Sequence, residues 1–471
     1  MSSRAPEGTP PPQLRRALGL SATVAIVVGN MLGTGVFFAP GEVAAIASEP
    51  WTVYTLWVLS GTITLCAALT LSEIASRLPQ AGASYQATRT AFGPFWGFMN
   101  AWMHVSVAGP ASVAGVAIAF GEYVARLAGG TVGGSPALWG SGAILFFAAV
   151  NLAGVAWGGT TQTLLTAFKA FGVLALVGGS AWLAAPHAAP AAVASEPAIG
   201  SLATLVRTIG LGVAAVLFTY DGWLDIAHVA GEVREPERTL PRALGLGVGA
   251  VTILYVAVNH AFLRVVPLEA MRAAPTTVAA TVAQAAFGPA GGQVLTAVIV
   301  VAAFGALGGL VLTLPRLFFA VAHAHRTHAR GPVRRFLTAL STVTPGSSTP
   351  SGAIVYTALM SVAALVFFGS FARLVNYLIV PMHVSNILTV STVFALRARM
   401  GPPSSGCATP GYPWTPLVFI GVISLFLLSA VYYQPVDTLI GVGLAATGAP
   451  IYASFRGVSG DESPAESPSL H

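Results

Sequence analysis

A chain of 471 residues with 55 % hydrophobic and only 8 % charged residues, and a mean hydropathy of +0.76, is far from the roughly 25 % charged residues of a soluble domain. That balance excludes an ordinary water-soluble enzyme and indicates an all-α polytopic membrane protein. The net charge of +6 comes from basic residues scattered through short segments, not gathered in one stripe, so it speaks for membrane orientation and against a nucleic-acid partner.

Residues 1–14 are Pro-rich and are expected to form a disordered cytoplasmic tail without a cleavable signal sequence. A helix needs about 20 residues to cross a hydrocarbon core of about 30 Å. Twelve apolar runs meet that length, near 17–47, 52–77, 91–127, 136–156, 159–184, 203–231, 240–265, 290–325, 350–369, 371–397, 413–433 and 436–456. The first is interrupted by Gly29, Asn30, Met31, Leu32, Gly33, Thr34 and Gly35. Gly29 and Gly33 alone have the spacing of a close helix contact. The third glycine and the polar pair Asn30 and Thr34 point instead to an unwound stretch. Such a stretch leaves backbone N–H groups at the start of the next half-helix, which receive a carboxylate, and frees carbonyls that accept from an ammonium group.

The fifth run holds Lys169, the only lysine in the chain. It stands about ten residues in, some 15 Å deep at 1.5 Å per residue. A lysine there is unfavourable by about 2.5 to 3.5 kcal/mol and must face protein, paired with carbonyls or an acid. It is either a packing tether or a fixed ammonium that replaces a transported cation or exchanges a proton. The sixth run is broken at Thr219, Tyr220, Asp221, Gly222 and Trp223. Asp221 either caps a half-helix starting near Gly222 or touches a ligand. Phe218, Tyr220 and Trp223 lie at mid-span, away from the interfacial belt, and read as a gate or pocket wall. Gly231 to Ala243 follows, a charge run that is either a solvated loop or a cytoplasmic latch in which Glu232 pairs with Arg238 or Arg242 in one state and releases it in another. Arg316, in the eighth run, either serves similarly or snorkels.

Cys66 and Cys407 form no disulfide framework, and His323, His325 and His328 read as a solvated helix end, not a metal site. No cofactor is implied, and no nucleophile with base is clustered as an enzyme requires. Breaks in runs one and six define a five-span unit, and an odd number of crossings inverts the second copy. The expected division is 15–198 for spans one to five, 199–400 for spans six to ten, 401–457 for spans eleven and twelve, and a disordered tail at 458–471. Of 22 basic residues, 15 fall on the side of the termini, five on the other and two within spans, which places both termini in the cytoplasm.

With these motifs the chain resembles the amino acid, polyamine and organocation (APC) transporter superfamily, and within it the L-type amino-acid transporter group and its bacterial relatives. The resemblance covers roughly residues 15 to 400 and is carried by Gly29 to Phe37, Lys169, Phe218 to Trp223 and Gly231 to Ala243. It implies a 5+5 inverted repeat with broken helices one and six, and sodium-independent transport through a site shared by helices one, three, six and eight. It implies further that the backbone from Met31 to Gly35 holds the substrate carboxylate and that carbonyls near Val28 and Phe218 take the amino group. Phe218 becomes the aromatic gate, and Lys169 takes the place of a sodium ion. Gly308 stands where the family often has Asn, and Asp225 and His228 are unusual. The loop from Ala128 to Gly142 lacks the cysteine that joins eukaryotic members to a glycoprotein, so no such disulfide-linked subunit is expected. The expectation is an alternating-access exchanger or facilitated carrier of neutral L-amino acids in the cell (inner) membrane. The rivals are proton-coupled symport through Lys169 or through Asp225 with His228, polyamine transport, and a sensor that binds amino acids without moving them.

Overall fold

The computed structural model describes residues 16–128, 134–183, 212–213, 216–273, 278–327, 329, 331–344, 346–368, 371–403, 407–433 and 435–456. Helices dominate because backbone polar groups in lipid must find partners within their own segment. The first apolar run folds as α1 (Leu20–Met31) and α2 (Gly35–Ile46), whose axes meet at 46°. α3 (Pro50–Arg77) opens with proline in its first turn, where no N–H is missed. α4 (Ala83–Phe92) and α5 (Pro94–Trp102) lead into a π-helical turn at Met103–Ala108 and then α6 (Gly109–Leu127). Pro110 explains that turn: it lacks an N–H and its ring crowds the carbonyl four residues back, so the Gly109 N–H donates to His104 O, five residues away.

α7 (Pro136–Ala153) is capped by Ser135, whose hydroxyl accepts the Leu138 N–H at 3.3 Å. α8 (Val155–Leu183) is two-faced. Trp157, Leu164, Phe168 and Phe171 form an exposed apolar stripe, while Gln162, Thr166 and Lys169 lie buried on the opposite side. From 218 to 232 the chain makes only short 3-10 turns, at Phe218–Tyr220, Leu224–Ala227 and Ala230–Glu232. α9 (Pro236–Val265), α10 (Leu268–Ala273), α11 (Val278–Phe287), α12 (Gly291–His325) and α13 (Gly331–Leu340) follow. α14 (Ser351–Phe368), α15 (Phe371–Met400), α16 (Trp414–Tyr433), α17 (Pro435–Ala446) and α18 (Gly448–Arg456) complete the order.

Among the described residues seven helical stretches are long and apolar enough to span a bilayer, and the bent pair α1 and α2 makes an eighth. Ser351–Phe367 and Thr438–Ala453 are shorter apolar helices. The chain is a multi-pass membrane protein. Both expected tails, at 1–14 and 458–471, lie outside the described residues, as does most of the first part of run six. One expectation is corrected within run six: no α-helix starts near Gly222. Gly222 takes φ +106°, and the 3-10 turns beyond it persist until α9, so Asp221 has no α-helical N-terminus to cap.

α3 lies along α9, α1 is held between α8 and α9, and α12 packs on α6 and α8. The two larger apolar clusters lie around α1, α3, α9 and the second break, and around α6, α7, α12 and α14. A buried acid joins the far end of this framework. The Glu73 carboxylate on α3 accepts from Arg77 Nη2 at 2.8 Å, from Arg397 Nη2 and Nε on α15 at 2.6 and 2.9 Å, and from the Thr409 N–H and hydroxyl, both at 2.7 Å. With Arg77 Nε also donating at 3.1 Å, six donors on three segments make this carboxylate a fixed joint rather than a surface pair.

Glu73→Ala strands two guanidinium groups and is expected to destabilise the protein by about 3 kcal/mol. Scanning fluorimetry in detergent should show a clearly lowered unfolding midpoint, with Glu73→Gln, which keeps an acceptor oxygen, falling between the two.

Candidate functional site: a cavity between two broken segments

The first break begins where the helix stops closing its own hydrogen bonds. Leu32 N–H still reaches Val28 O at 2.7 Å, but Gly33 N–H turns to Met31 O at 2.8 Å, so Gly29 O loses its helical partner. The Lys169 ammonium donates to that carbonyl, and Thr166, one turn away on α8, donates to Ala25 O at 2.9 Å. Gly29 has no room for a side chain there, since a Cβ would collide with Gln162 and Thr166.

The second break is bound directly to the first. Asn30 Nδ2 donates to Asp225 Oδ2 at 2.6 Å. A Cβ on Gly222 would come within 2.8 to 3.0 Å of the backbone and Cβ of Asn30, so glycine there serves both the positive φ and the close approach. Tyr255 of α9 clasps the pair from behind. Its hydroxyl lies 2.7 Å from Met31 O and 3.0 Å from Thr219 O, so one hydrogen is shared between a carbonyl of each break. Trp57 and Tyr220 pack edge-on against the Tyr255 ring, both with centroids 5.1 Å away, and Tyr220 donates to Trp57 O at 3.1 Å.

In front of the breaks lies a cavity of about 120 Å³, room on the order of eight water molecules. Break one contributes Asn30, Met31, Gly33, Thr34 and Gly35, and break two Thr219, Asp221, Gly222, Leu224 and Asp225. The π-turn and α6 supply His104, Ala108, Gly109, Ala111, Ser112, Gly115 and Val116. α12 supplies Ala306, Leu310 and Leu314, and α15 Met382 and Asn386. The start of α2 lies on the cavity wall at Gly33, Thr34 and Gly35, where the first N–H groups of a helix lack intrahelical carbonyls, although Phe37 N–H reaches Thr34 O at 3.1 Å. The arrangement offers backbone donors, two carboxylates and an apolar far wall to a small polar molecule.

Several residues singled out from sequence lie elsewhere. Val28 and Leu32 are not on the cavity wall, and the Val28 carbonyl already accepts from Leu32. Tyr220 is buried behind the break. Trp223 packs edge-on against Phe419 of α16, with centroids 5.6 Å apart, so it does not gate the cavity. Gly308 faces Phe147 and Gln162; its neighbours Ala306 and Leu310 reach the cavity instead, because a helix turns 100° per residue. The Phe218 side chain lies outside the described residues. Conversely His104, Ser112, Tyr255 and Asn386 escaped the sequence reading. Only Gly109 and Pro110, a small residue followed by a helix-disturbing one in mid-run, signalled that the third run bends toward the site.

The expected latch is also corrected. Among the described residues no ion pair joins Glu232 to Arg238 or Arg242. Glu232 accepts from Arg316 Nε at 2.7 Å and from Nη2 at 3.4 Å, with both side chains at most 1 % exposed. Arg316 Nη1 donates to Leu312 O at 2.6 Å. Arg238 sits in water beside Glu235 at 3.7 Å. A buried guanidinium has far more to gain from a carboxylate than a hydrated one. The same segment is tied to the start of the chain: Ala17 and Leu18 N–H both reach Glu232 O at 2.9 Å, and Arg234 N–H reaches Leu18 O at 2.8 Å.

Comparison with known proteins places this architecture. The family model for amino acid permeases matches residues 18–455. The serine/threonine exchanger SteT of Bacillus subtilis (strain 168) is 29 % identical over 451 residues, covering 94 % of this chain and 97 % of that protein. The large neutral amino acids transporter small subunit 2 of Homo sapiens is 26 % identical over 476 residues, 94 % of this chain and 81 % of its own. The b(0,+)-type amino acid transporter 1 of Mus musculus is 29 % identical over 272 residues, 56 % of this chain and 55 % of its own. A membrane-spanning helical protein broken at two points around a small cavity and matched over nearly its whole length, this chain belongs to the amino acid permease family of the APC superfamily and is a transporter related to the L-type amino acid transporters.

Proposed function

We propose that the protein carries neutral L-amino acids across the cell membrane by alternating access, as an exchanger or facilitated carrier that needs no sodium. The observation that carries this reading is the cavity bounded by both breaks, with Lys169 on the carbonyl released by the first. The first-turn N–H groups of α2 suit a carboxylate, and Asp221 or the carbonyl edge of break two suits an ammonium. An ammonium fixed at Gly29 O already supplies the positive charge that unwound carbonyls would otherwise draw from a bound cation. Neutral side chains are what the serine/threonine and large neutral relatives share in their names.

The frame for this is twelve spans with a 5+5 inverted repeat, both termini in the cytoplasm, and no disulfide-linked glycoprotein partner. In that orientation the Glu232–Arg316 pair and the Leu18 to Val233 bridge close the cytoplasmic mouth. Their release would open the cavity inward.

Purified protein in proteoliposomes loaded with unlabelled serine, threonine, alanine or leucine is expected to accumulate the labelled amino acid by counterflow equally in sodium and in choline buffer. A strict sodium requirement, or no counterflow with any amino acid, sinks the proposal.

Lys169→Ala leaves a buried carbonyl without its donor, worth about 1–3 kcal/mol, and is expected to reduce exchange roughly 5- to 150-fold while the protein still elutes as a single species. Tyr255→Phe keeps the ring packing but removes the hydrogen shared between the breaks. It is expected to slow exchange by about tenfold, equivalent to about 1.4 kcal/mol, and to lower the unfolding midpoint modestly, because a buried carbonyl loses its donor.

A further inference from the structure

We infer that the cavity contains a second subsite, formed by Asp225 and His104, that receives a hydrogen-bond-donating side chain of the substrate: a hydroxyl or a short ammonium, in preference to an aliphatic group. This rests on the amino-acid reading of the cavity and specifies which amino acids fit it.

The hydrogen-bond directions settle what His104 offers. Asn100 Nδ2 donates to Thr88 Oγ1 at 2.6 Å and to Thr389 Oγ1 at 3.0 Å, and the Thr88 hydroxyl hydrogen is used on Ser84 O at 2.9 Å. The amide of Asn100 is thereby oriented, and its Oδ1 accepts the single hydroxyl hydrogen of Ser385. Ser385 Oγ lies 2.8 Å from His104 Nδ1 and has no hydrogen left to give, so Nδ1 carries the ring proton and donates. Nε2 of a neutral imidazole held in this way is a lone-pair acceptor. His104 stands on the cavity wall, where the π-turn has swung it.

Asp225 is the companion acceptor. Its Oδ2 is taken by Asn30, but Oδ1 is 3.8 Å from His228 Nδ1, beyond a hydrogen bond. His228 is fully buried, neither of its ring nitrogens is hydrogen-bonded, and its ring stands edge-on to His104 with centroids 5.8 Å apart. Asp221 adds a third acceptor group, and among the described residues no lysine or arginine lines the cavity. An aliphatic side chain pressed into this corner covers acceptors without satisfying them. A hydroxyl or ammonium completes them. Sites built to hydrogen-bond a substrate group discriminate strongly against an isostere that lacks it, whereas apolar pockets discriminate weakly against added hydroxyls.

Threonine and valine, nearly equal in shape, provide the test. In counterflow with the full chain in proteoliposomes, threonine is expected to exceed valine by about tenfold or more, and 2,3-diaminopropionate is expected to compete with labelled threonine as well as serine does. Asp225→Asn and, separately, His104→Phe are expected to bring the threonine to valine ratio within about threefold, chiefly by losing threonine. Equal wild-type counterflow of threonine and valine overturns the subsite while leaving amino-acid transport standing, and requires no variant to fold. So does an unchanged ratio in both variants. No counterflow with any amino acid overturns the transport reading and the subsite together.

Discussion

Everything in this protein turns on one carbonyl. When α1 stops at Met31, Gly29 O is left inside the bundle without the N–H that a continuing helix would have provided, and an orphaned carbonyl in such a place is unfavourable by about 1–3 kcal/mol. Lys169 answers that need and in turn receives a partner it could not do without at its depth. Each group makes the other tolerable. α8 must therefore present its Gln162, Thr166 and Lys169 face inward, which leaves Trp157, Phe168 and Phe171 toward lipid. Together with the Thr166 bond to Ala25 O, this contact fixes which face of the 29-residue helix turns inward.

The two breaks extend the same logic. Neither is a helix end left to water: Asn30 binds Asp225, Gly222 lets the backbones touch, and Tyr255 divides one hydrogen between Met31 O and Thr219 O. The cavity is what remains in front of this joint. Its wall is polar where the breaks supply it and apolar where Leu310 and Met382 face it.

Much of this was legible from the chain alone, and the reasons for the misses are physical. Glycines and a solitary lysine in apolar runs are conspicuous because each is unfavourable unless something compensates, so both breaks and Lys169 could be read directly. Direction around a helix could not: Gly308 and Ala306 differ by two residues and point to different neighbours, and no local pattern says which faces the cavity. Long-range partners were equally hidden. Glu232 had two arginines nearby in sequence, yet its partner is Arg316, which is 84 residues away and has no water to compete for it. The missing half-helix after Gly222 reflects tertiary override, since Leu224–Ala227 takes a 3-10 turn against α1, α3 and α12, and Ala230–Glu232 one against α9, where local preference had suggested an α-helix.

The Glu232–Arg316 pair also differs from a surface ion pair in how it responds to its surroundings. Dissolved ions screen charges that they can approach, over a Debye length of about 8 Å at physiological ionic strength, and buried pairs are screened much less. With both side chains excluded from solvent, this contact is largely insulated from the salt content of the compartment it faces. Separating the pair would mean hydrating two charges at once, a cost set by the protein interior and hardly at all by the medium outside.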